Sequence, residues 1–416
     1  MLNFWENNCE GERPMKVLFI STTCARSDYE EICKRRKIPM LDSSQKFFEM
    51  FLGGLAQMED ILVECITVPP ISRGTYPGNY IRAHVTRVGN LTYHYTPIWN
   101  FPVLKSLFAT RSVKKIMRRL IKEAKDDSIK IICDPLLLEG LKPSVTLGKK
   151  YGILTVGFLT DMPIFADECD GHRGIKAIMY RTYNRSIERY MGKLDRYIVL
   201  TKAMQCVADG KPWMLLDCIV DETMLSGLEP LIHDDCLPHI VYAGKLHREF
   251  GLDLLGEAMT LVKCKCIFDL YGDGNYIQEL KKLATLQKNI RLHGVVPLKE
   301  VLRAELSSTV LVNPRTSKGE FTKYSFPSKT AEYMLAGKPV VMFKLPGISN
   351  EYASYVHFAK EETALALADE IDKILAMTEC ERKAIGDRAK EYVIRKKNNI
   401  SRAESVIRFI TAKVKL

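Results

Sequence analysis

A short stretch near residue 330 combines the residue types that bind phosphate groups. It reads YSFPSKTAEYMLAGKPVV from Tyr324 to Val341. Pro327 and Ser328 predict a helix N-terminus, with Ser328 as the N-cap and the helix starting near Lys329. The first backbone N–H groups of a helix have no partner within the helix and carry partial positive charge. The stretch therefore predicts a site for an anion, and for a phosphate above all.

The neighbouring side chains favour the same chemistry. Ser325 and Ser328 can donate hydrogen bonds to a phosphate, and Lys329 adds a full positive charge. Glu332, one helical turn further on, can accept a hydrogen bond from a sugar hydroxyl beside the phosphate. Ordinary helix capping explains these residues equally well, because serine caps and first-turn acids are common in helices that bind nothing.

A second motif, YAGKLHREFGLDLL over residues 242–255, follows a predicted strand. Gly244 allows a tight turn, and Lys245 and Arg248 come directly after it. Two cations at the carboxyl end of a strand can neutralise a departing diphosphate. Solvated charges at the start of a helix are the alternative explanation.

Two weaker motifs follow the next predicted strands. Gly272 and Gly274, in DLYGDGN, could equally form a plain turn. Val295, in LHGVVP, lies at a strand end whose backbone can contact a flat base. Each of the four motifs is weak alone, but all four follow strands of one predicted domain in chain order. We therefore interpret them as parts of one site.

The elements that position these residues alternate between strand and helix along the whole chain. Such alternation predicts parallel sheets covered by helices on both faces, with ligands outside the carboxyl ends of the strands. The predicted strands of the first half are Lys16–Ser21, Ile61–Val68, Leu91–Thr96, Ile129–Cys133, Ile153–Leu159, Arg196–Leu200 and Met214–Leu216. Those of the second half are Ile240–Ala243, Cys266–Tyr271, Ile290–His293, Val310–Asn313 and Val340–Phe343.

Two such series in succession predict an α/β fold of two facing, doubly wound Rossmann-like domains with an interdomain cleft. The boundary is expected at the polar, proline-flanked segment 229–238. We predict an extension over residues 1–14, an N-terminal domain over 15–235 and a C-terminal domain over 236–395. Residues 396–416 are predicted to form a helix that packs back on the N-terminal domain.

Composition narrows the class of protein. Of the 416 residues, 46% are hydrophobic and 27% are charged, which is typical of a globular chain. The net charge of +11 and the pI of about 8.9 indicate an anionic partner. The 12 cysteines contain no Cys-x-x-Cys pair, which favours a reduced, cytoplasmic protein. The N-terminus lacks the apolar core of a signal peptide, and no apolar run is long enough to span a membrane.

The segment Phe101–Lys125 is apolar at helical spacing and carries eight Lys or Arg residues against one Glu. A basic amphipathic helix suits an anionic membrane surface, which would make the protein peripheral on the inner face of the cell membrane. A surface helix with a solvated basic face is the alternative. Nucleic acid is not favoured as a partner, because the sequence contains no recognisable nucleic-acid-binding module.

Residues 238–350 resemble the glycosyltransferases of the GT-B fold, and are similar to family four, whose members are retaining enzymes that use sugar nucleotides. The resemblance rests on AGKLHREFGLDLLGEAM, DLYGDGNYIQEL, IRLHGVVP and PSKTAEYMLAGKPVV, and more weakly on KVLFIS, SSQKFFEMFLGGLAQ, FLTDMP and YIVLTKAM in the first half. The wording FTKYSFPSKTAEYMLAGKPVV is most similar to bacterial capsular and exopolysaccharide transferases. The resemblance implies an acceptor-binding N-terminal domain, a C-terminal domain that binds a UDP- or GDP-sugar, and no cofactor.

With this resemblance, the site residues take expected roles. The diphosphate is expected to contact Lys245, Arg248, Ser328 and Lys329. Glu332 is expected to bind the ribose. The remaining residues of the expected donor site are Gly244, Gly272, Gly274, Val295 and Ser325, with Val295 near the base.

Two carboxylates complete the expected catalytic set, together with Lys245 and Arg248. Glu320 or Tyr324 is expected to contact the donor sugar. Asp161, at a strand end of the N-terminal domain, is expected to orient the acceptor or balance developing positive charge. A helix cap or a salt bridge explains Asp161 equally well.

The chain departs from the family pattern at its catalytic positions. The family often has two glutamates separated by seven residues. The second matches Glu332, but Tyr324 stands at the position of the first, and Glu320 lies further upstream. The family's lysine falls on Phe250, and the position where many relatives carry a histidine is Thr160-Asp161.

The sequence thus predicts a retaining, metal-independent hexosyltransferase. It would move a sugar from a nucleotide-diphosphate donor to a lipid-linked or oligosaccharide acceptor in cell-surface polysaccharide biosynthesis. No metal site is assigned, because the sequence has no Asp-x-Asp to clamp a metal-bound diphosphate. Two alternatives stay open: a sugar-nucleotide epimerase of the same fold, and a non-catalytic sugar-nucleotide-binding partner of a polysaccharide assembly complex.

Overall fold

The structure of the protein is a computed structural model that describes residues 14–37, 43–124, 129–163 and 175–412. Its contacts divide the chain into two compact units. The first contains the described residues of Met1–Val199, Gln205–Met214 and Arg402–Leu416, and the second contains Leu200–Met204 and Leu215–Ser401. The predicted extension over residues 1–14 lies outside the described residues, except for Pro14.

The first unit is built on a largely parallel sheet. Its strands are β1 (Met15–Ser21), β2 (Ile61–Thr67), β3 (Tyr80–Ile81), β4 (Val85–Val88), β5 (Leu91–Tyr95), β6 (Ile98–Trp99), β7 (Ile129–Cys133), β8 (Thr155–Leu159), β9 (Arg196–Val199) and β10 (Trp213–Leu215). Eight of them form one sheet in the order β10-β9-β8-β7-β1-β2-β5-β4, where β4 runs antiparallel to β5. Strands β3 and β6 pair separately as an antiparallel ribbon.

Apolar runs explain the central strands of this sheet. In β1, four successive residues from Val17 to Ile20 are fully buried, as expected for a parallel strand covered on both faces. The ring of Phe19 packs 5.1 Å from Phe48 and 5.8 Å from Phe51, between ring centroids. The helices of this unit are α1 (Arg26–Lys34), α2 (Ser43–Ala56), α3 (Pro102–Ala124), α4 (Leu138–Tyr151) and α5 (Ile175–Met191).

The second unit has a fully parallel six-stranded sheet. Its strands are β11 (His239–Ala243), β12 (Ile267–Tyr271), β13 (Ile290–Gly294), β14 (Val310–Asn313), β15 (Val340–Met342) and β16 (His357–Phe358), in the order β13-β12-β11-β14-β15-β16. All five neighbouring pairs are parallel. The helices are α6 (Leu252–Leu261), α7 (Ile277–Leu286), α8 (Leu298–Ser307), α9 (Ser328–Leu335), α10 (Ala364–Leu375) and α11 (Glu379–Lys396), and α12 (Asn399–Thr411) follows. The predicted α/β architecture of parallel sheets is confirmed.

The bounds of the two units differ from the predicted domain bounds near residue 235. The chain enters the second unit at Leu215, because Cys218 and Val220 are buried in the hydrophobic core of the second sheet. At the other end, the Arg196 guanidinium donates to the carbonyl oxygens of Phe409 and, at 2.7 Å, of Ala412. The part of α12 after Arg402 therefore belongs to the first unit, and residues 413–416 lie outside the described part.

A buried ion-pair network ties the segment after Leu215 to the end of α11. The Lys397 ammonium lies 2.9 Å from Asp217 Oδ2 and 2.9 Å from Glu351 Oε1. The Tyr352 hydroxyl donates to Asp217 at 2.7 Å. Asp217 and Lys397 are both buried. A buried ion pair is costly to break from one side, because the remaining charge stays in a low-dielectric environment.

Lys397→Ala is therefore expected to destabilise the protein by about 3 kcal/mol or more, since Asp217 would lose its counter-charge. The urea midpoint of unfolding measures the change. Lys396→Ala is the matched control, because Lys396 is an exposed cation one residue earlier. Equal midpoints for the two variants would contradict the buried network.

Candidate functional site

Three loops meet at the carboxyl end of the second sheet. The backbone N–H of Gly244, after β11, donates to the carbonyl oxygen of Tyr271 at 2.9 Å. The N–H of Gly272, after β12, donates to Gly294 at the end of β13 at 2.7 Å. The loops that follow β11, β12 and β13 are thus hydrogen-bonded to one another in turn.

Glycines make this close approach possible. Gly272 has φ +131°, and a Cβ placed on it would lie closer than 3.0 Å to the carbonyl oxygen of Gly244. A Cβ on Gly274 would collide in the same way with the Leu246 carbonyl. These are backbone atoms that cannot rotate aside. The glycines of the DLYGDGN motif are therefore required for the close contact between two strand-end loops.

The loop after β14 joins the same cluster. Gly251 has φ +80°, and a Cβ on it would overlap the carbonyl oxygen of Pro314. The next residue, Arg315, places its guanidinium 5.4 Å from the ring centroid of Phe250 and 5.2 Å from that of Phe321. Arg315 is therefore held by cation–π contacts on two rings at a strand end.

The start of α9 differs from the prediction in its capping. Pro327, rather than Ser328, is the N-cap residue, and no side chain caps the helix. Ser328 is the first helical residue and is exposed. The helix is fixed to the sheet by Tyr333, whose hydroxyl accepts the backbone N–H of Ala243 at 2.9 Å. The start of α9 lies at the carboxyl end of the sheet, because the Thr330 hydroxyl accepts a hydrogen bond from the side-chain amide of Asn313, the last residue of β14, at 3.2 Å.

Lys329 is held by two carboxylates. Its ammonium pairs with Glu332, one turn along α9, and lies 3.1 Å from Glu305 Oε1 on α8. Burial raises the pKa of Glu305 to about 8, with the Glu332 charge adding to the effect and Lys329 opposing it. Burial would lower the pKa of Lys329, but Glu332 and Glu305 together raise it well above its usual value. Lys329 stays charged, and its charge is already balanced within the protein.

The other cations of the site are more accessible. Lys245 is exposed and has no ion pair within the described part of the chain. Arg248 is also exposed, and its guanidinium lies 5.4 Å from the ring centroid of Tyr276. The positive charges of Lys329 and Arg315 both act to lower the pKa of Tyr242, although burial raises it overall. Lys329, Arg315 and the end of β11 are thus near neighbours.

Glu320 and Tyr324 belong to a 3₁₀ turn, Glu320–Tyr324, that precedes α9. The Glu320 side chain is largely exposed and lies 3.5 Å from the Lys323 ammonium. Ser325 follows this turn in an extended conformation. The roles of Glu320 or Tyr324 toward the donor sugar, and of Ser325 toward the phosphate, stay predictions.

Two other predicted residues are exposed at strand ends. Val295, after β13, is exposed, which leaves an apolar surface beside Gly294. Asp161 lies in the first unit after β8, where its Oδ1 accepts the backbone N–H of Met162 at 2.8 Å. The structure groups the other glycines and cations of the second unit at one sheet edge, and Asp161 belongs to the other unit.

Sequence reasoning missed Glu305 and Arg315. Arg315 follows the end of β14 directly, so the rule that found Lys245 after β11 could have found it. Glu305 gave no signal, because an acid in a helix pattern is ordinary and only tertiary packing buries it against Lys329. Within the described residues, no group of three or more His, Cys, Asp or Glu side chains is arranged to hold a metal ion.

A known protein family matches the same region of the chain. Residues 237–377 match the family model described as Glycosyl transferases group 1. These residues contain the three glycine loops, Arg315, Lys329 and Glu332. No curated protein sequence matches the chain.

Solved structures match along nearly the whole chain. The sucrose-phosphate synthase from Thermosynechococcus elongatus is 16% identical, with 95% of this chain and 98% of that chain covered and a TM-score of 0.63. An E. coli structure described as trehalose-6-phosphate bound with UDP-2-fluoro glucose is 12% identical, with 96% and 99% covered and a TM-score of 0.65. The lipopolysaccharide outer core galactosyltransferase WaaB is 12% identical, with 95% and 99% covered and a TM-score of 0.59. At these identities the likeness shows the fold, which is that of GT-B glycosyltransferases.

Gly272→Ala is expected to separate the loops after β11 and β12, because the new methyl group would overlap the Gly244 carbonyl. We expect sugar-nucleotide affinity to fall by about tenfold or more, as measured by calorimetric titration. Gly227→Ala is the matched control, since Gly227 also has positive φ but open space around its Cβ position. Equal affinity in both variants would show that the close approach does not shape the site.

Proposed function

We propose that this protein is a retaining glycosyltransferase that moves a sugar from a nucleotide-diphosphate donor to a lipid-linked or saccharide acceptor. The proposal is carried by one observation. Three glycine-closed loops and the start of α9 lie at one edge of the second sheet, with the cations Lys245, Arg248 and Arg315 on those loops. That edge falls within the segment that matches the group 1 glycosyltransferase model.

The donor is proposed to be a UDP- or GDP-sugar. A nucleotide is bound outside the carboxyl ends of parallel strands in folds of this class. Glu332 would accept hydrogen bonds from the ribose, and Lys329 would orient that carboxylate. The exposed Val295 would contact the base beside Gly294. The structural relative bound with UDP-2-fluoro glucose supports this class of donor.

The diphosphate is proposed to lie between the start of α9 and the cations. The backbone N–H groups of Ser328 and Lys329, with the Ser328 hydroxyl, would donate to phosphate oxygens. Lys245, Arg248 and Arg315 would neutralise the charge that develops as the diphosphate leaves. Lys329 would add to this field, although its charge is shared with Glu305 and Glu332.

Arg315 also resolves a departure from the family pattern. The family's lysine falls on Phe250 in this sequence, but the Arg315 guanidinium lies over the Phe250 ring. A positive charge is thus present at that place, supplied from the loop after β14. We propose that Arg315 takes over charge neutralisation there.

In the proposed reaction the bond between the sugar C1 and the diphosphate oxygen breaks, and a bond from C1 to the acceptor oxygen forms on the same face. The proton of the acceptor hydroxyl passes to the departing phosphate oxygen, so charge and atoms balance. Protein cations and helix N–H groups would stabilise this phosphate without a metal ion. Asp161 is proposed to orient the acceptor, and Glu320 or Tyr324 to contact the donor sugar.

The acceptor is proposed to belong to cell-surface polysaccharide synthesis, such as that of a capsule or an exopolysaccharide. The wording of the α9 segment and the structural likeness to a lipopolysaccharide galactosyltransferase support this choice. The described residues contain no helix long and apolar enough to cross a bilayer. We propose that the protein works at the cytoplasmic face of the membrane as a peripheral protein.

A non-catalytic partner that only binds a sugar nucleotide is the second candidate. It is favoured by Tyr324 in place of a glutamate and by the exposure of Glu320, which pairs only weakly with Lys323. Such a protein would bind the donor and neither hydrolyse nor transfer it. An epimerase would instead convert the donor sugar without an acceptor.

A panel of UDP- and GDP-sugars should contain at least one that raises the melting temperature. With the best binder, Arg315→Ala and Lys245→Ala should each weaken affinity by roughly 10- to 100-fold, because each removes a charge-assisted contact to phosphate. Lys318→Ala is the matched control, since Lys318 is an exposed cation of the same loop region.

The donor site would be contradicted if no sugar nucleotide raised the melting temperature. It would also be contradicted if Lys318→Ala weakened affinity as much as Arg315→Ala and Lys245→Ala. Incubation of the best binder with and without saccharide acceptors then separates the candidate functions. NMR of the product should show the donor's anomeric configuration retained in a new glycosidic bond. Binding without any turnover would favour the non-catalytic partner. Conversion of the donor into a different sugar nucleotide would favour the epimerase.

A further inference from the structure

The helix α3 has two opposite faces of different chemistry. One face is buried against the first unit and consists of Ala109, Val113, Met117 and Leu120. The sequence predicts a basic amphipathic helix over Phe101–Lys125 that suits an anionic membrane surface. These four residues are buried in the first unit, so they do not contribute to such a surface. Their spacing of three to four residues is that of one helical stripe.

The opposite stripe is exposed and changes character along the helix. Its first two turns are apolar, with Leu104 48%, Leu107 50% and Phe108 39% exposed. Its later turns are basic, and the side chains at the same helical spacing are Arg111, Lys115, Arg118 and Lys122. From Leu104 to Lys122 the stripe spans about 27 Å at 1.5 Å per residue.

An exposed aromatic pair lies on the ribbon that precedes and contacts α3. Trp99 and Tyr80 face each other across the ribbon of β3 and β6, with their ring centroids 4.8 Å apart. They are 47% and 46% exposed. Strand β6 packs against α3, and Pro102, the first residue of the helix, follows Trp99 by three positions. Trp and Tyr are the side chains that favour the boundary between lipid headgroups and hydrocarbon.

The basic end of the stripe has no counter-charge among the described residues. Arg111, Lys115, Arg118 and Lys122 form no hydrogen bond or ion pair with any described residue. Two cations on other sides of the helix, Lys105 and Arg119, are engaged. Lys105 donates to the Ile71 carbonyl, and Arg119 lies 3.7 Å from Glu123 and 3.3 Å from the His94 ring nitrogen. The unpaired charges are thus concentrated on the same face as the exposed apolar residues.

We propose that this face docks the protein on an anionic lipid bilayer. The α3 surface consists of Tyr80, Trp99, Leu104, Leu107, Phe108, Arg111, Lys115, Arg118 and Lys122. Its apolar end inserts shallowly at the headgroup boundary, and its basic end lies along the lipid phosphates. Apolar and basic residues arranged in this way bind interfaces by combining buried area with electrostatic attraction.

The arrangement fits a bilayer better than a nucleic acid. The cations are segregated from the aromatic and aliphatic residues along the stripe, whereas single-stranded nucleic acids need aromatic platforms among the charges. The docking rests on these exposed residues alone. Its use for reaching a lipid-linked acceptor rests on the proposed glycosyltransferase function.

Vesicle flotation of the full chain tests the docking. Vesicles of phosphatidylglycerol mixed with phosphatidylcholine should bind the protein at about 0.1 M salt, and binding should weaken at about 0.5 M because exposed charges are screened. Lys115→Glu combined with Arg118→Glu should lower the partition coefficient by about tenfold or more. Leu107→Ser combined with Phe108→Ser should lower it by a similar factor.

Two matched controls lie on α7 of the second unit. Lys281→Glu combined with Lys282→Glu changes as many exposed charges, and Leu286→Ser removes an exposed leucine. Both should bind vesicles like the unchanged protein. The fluorescence of Trp99, taken as the difference between the protein and its Trp99→Phe variant, should shift to the blue on anionic vesicles.

Equal binding to pure phosphatidylcholine, no binding to anionic vesicles, or equal losses in the α7 controls would overturn the proposal. So would binding to RNA with the same sensitivity to the α3 variants and none to vesicles. The change in melting temperature with each sugar nucleotide, measured on the same variants, distinguishes the two proposals. If the protein bound vesicles but no sugar nucleotide raised its melting temperature, the donor site would be contradicted and the docking surface would still be supported.

Discussion

The candidate site depends on a backbone contact that leaves no space for a side chain. The loop after β12 touches the loop after β11 at Gly272 and Gly274, and a Cβ on either glycine would overlap a carbonyl oxygen. Gly251 does the same against Pro314 after β14. Only because these contacts are closed do Lys245 and Arg315, which are far apart in sequence, share one edge of the sheet.

Charge balance is the second organising feature of this edge. Lys329 satisfies the buried Glu305 and fixes Glu332, so much of its positive charge is consumed internally. The exposed Lys245 has no ion pair among the described residues, and Arg315 is held over two aromatic rings. One cation of this edge thus holds a carboxylate in place, and another faces solvent. This difference follows from burial, because a carboxyl group that is buried needs a partner within the protein.

The fold was largely predictable, because the buried strands are apolar runs separated by helical patterns. Two parallel sheets were expected, and strands such as Ile129–Cys133 and Val310–Asn313 have the predicted bounds. The short ribbon strands Tyr80–Ile81 and Ile98–Trp99 were missed, since two residues carry no periodicity. The polar segment after Glu229 resembles a linker in sequence, whereas the packing of Cys218 and Val220 against the second sheet shows only in three dimensions.

The candidate site was predictable only in its local parts. Glycines and cations after strand ends could be found, because their chemistry is local to one loop. The partners of Lys329, the stacking of Arg315 on Phe250 and the inward face of α3 depend on contacts between distant elements. Ser328 was expected to cap α9, but Pro327 takes the N-cap position with an extended backbone.

A crystal structure of the protein with a nucleoside diphosphate would test the central claim most directly. The account predicts the terminal phosphate within hydrogen-bond distance of the backbone N–H groups of Ser328 or Lys329, with the Lys245 or Arg315 side chain on the same phosphate. A diphosphate bound away from the start of α9, with Lys245 and Arg315 both turned to solvent, would contradict it.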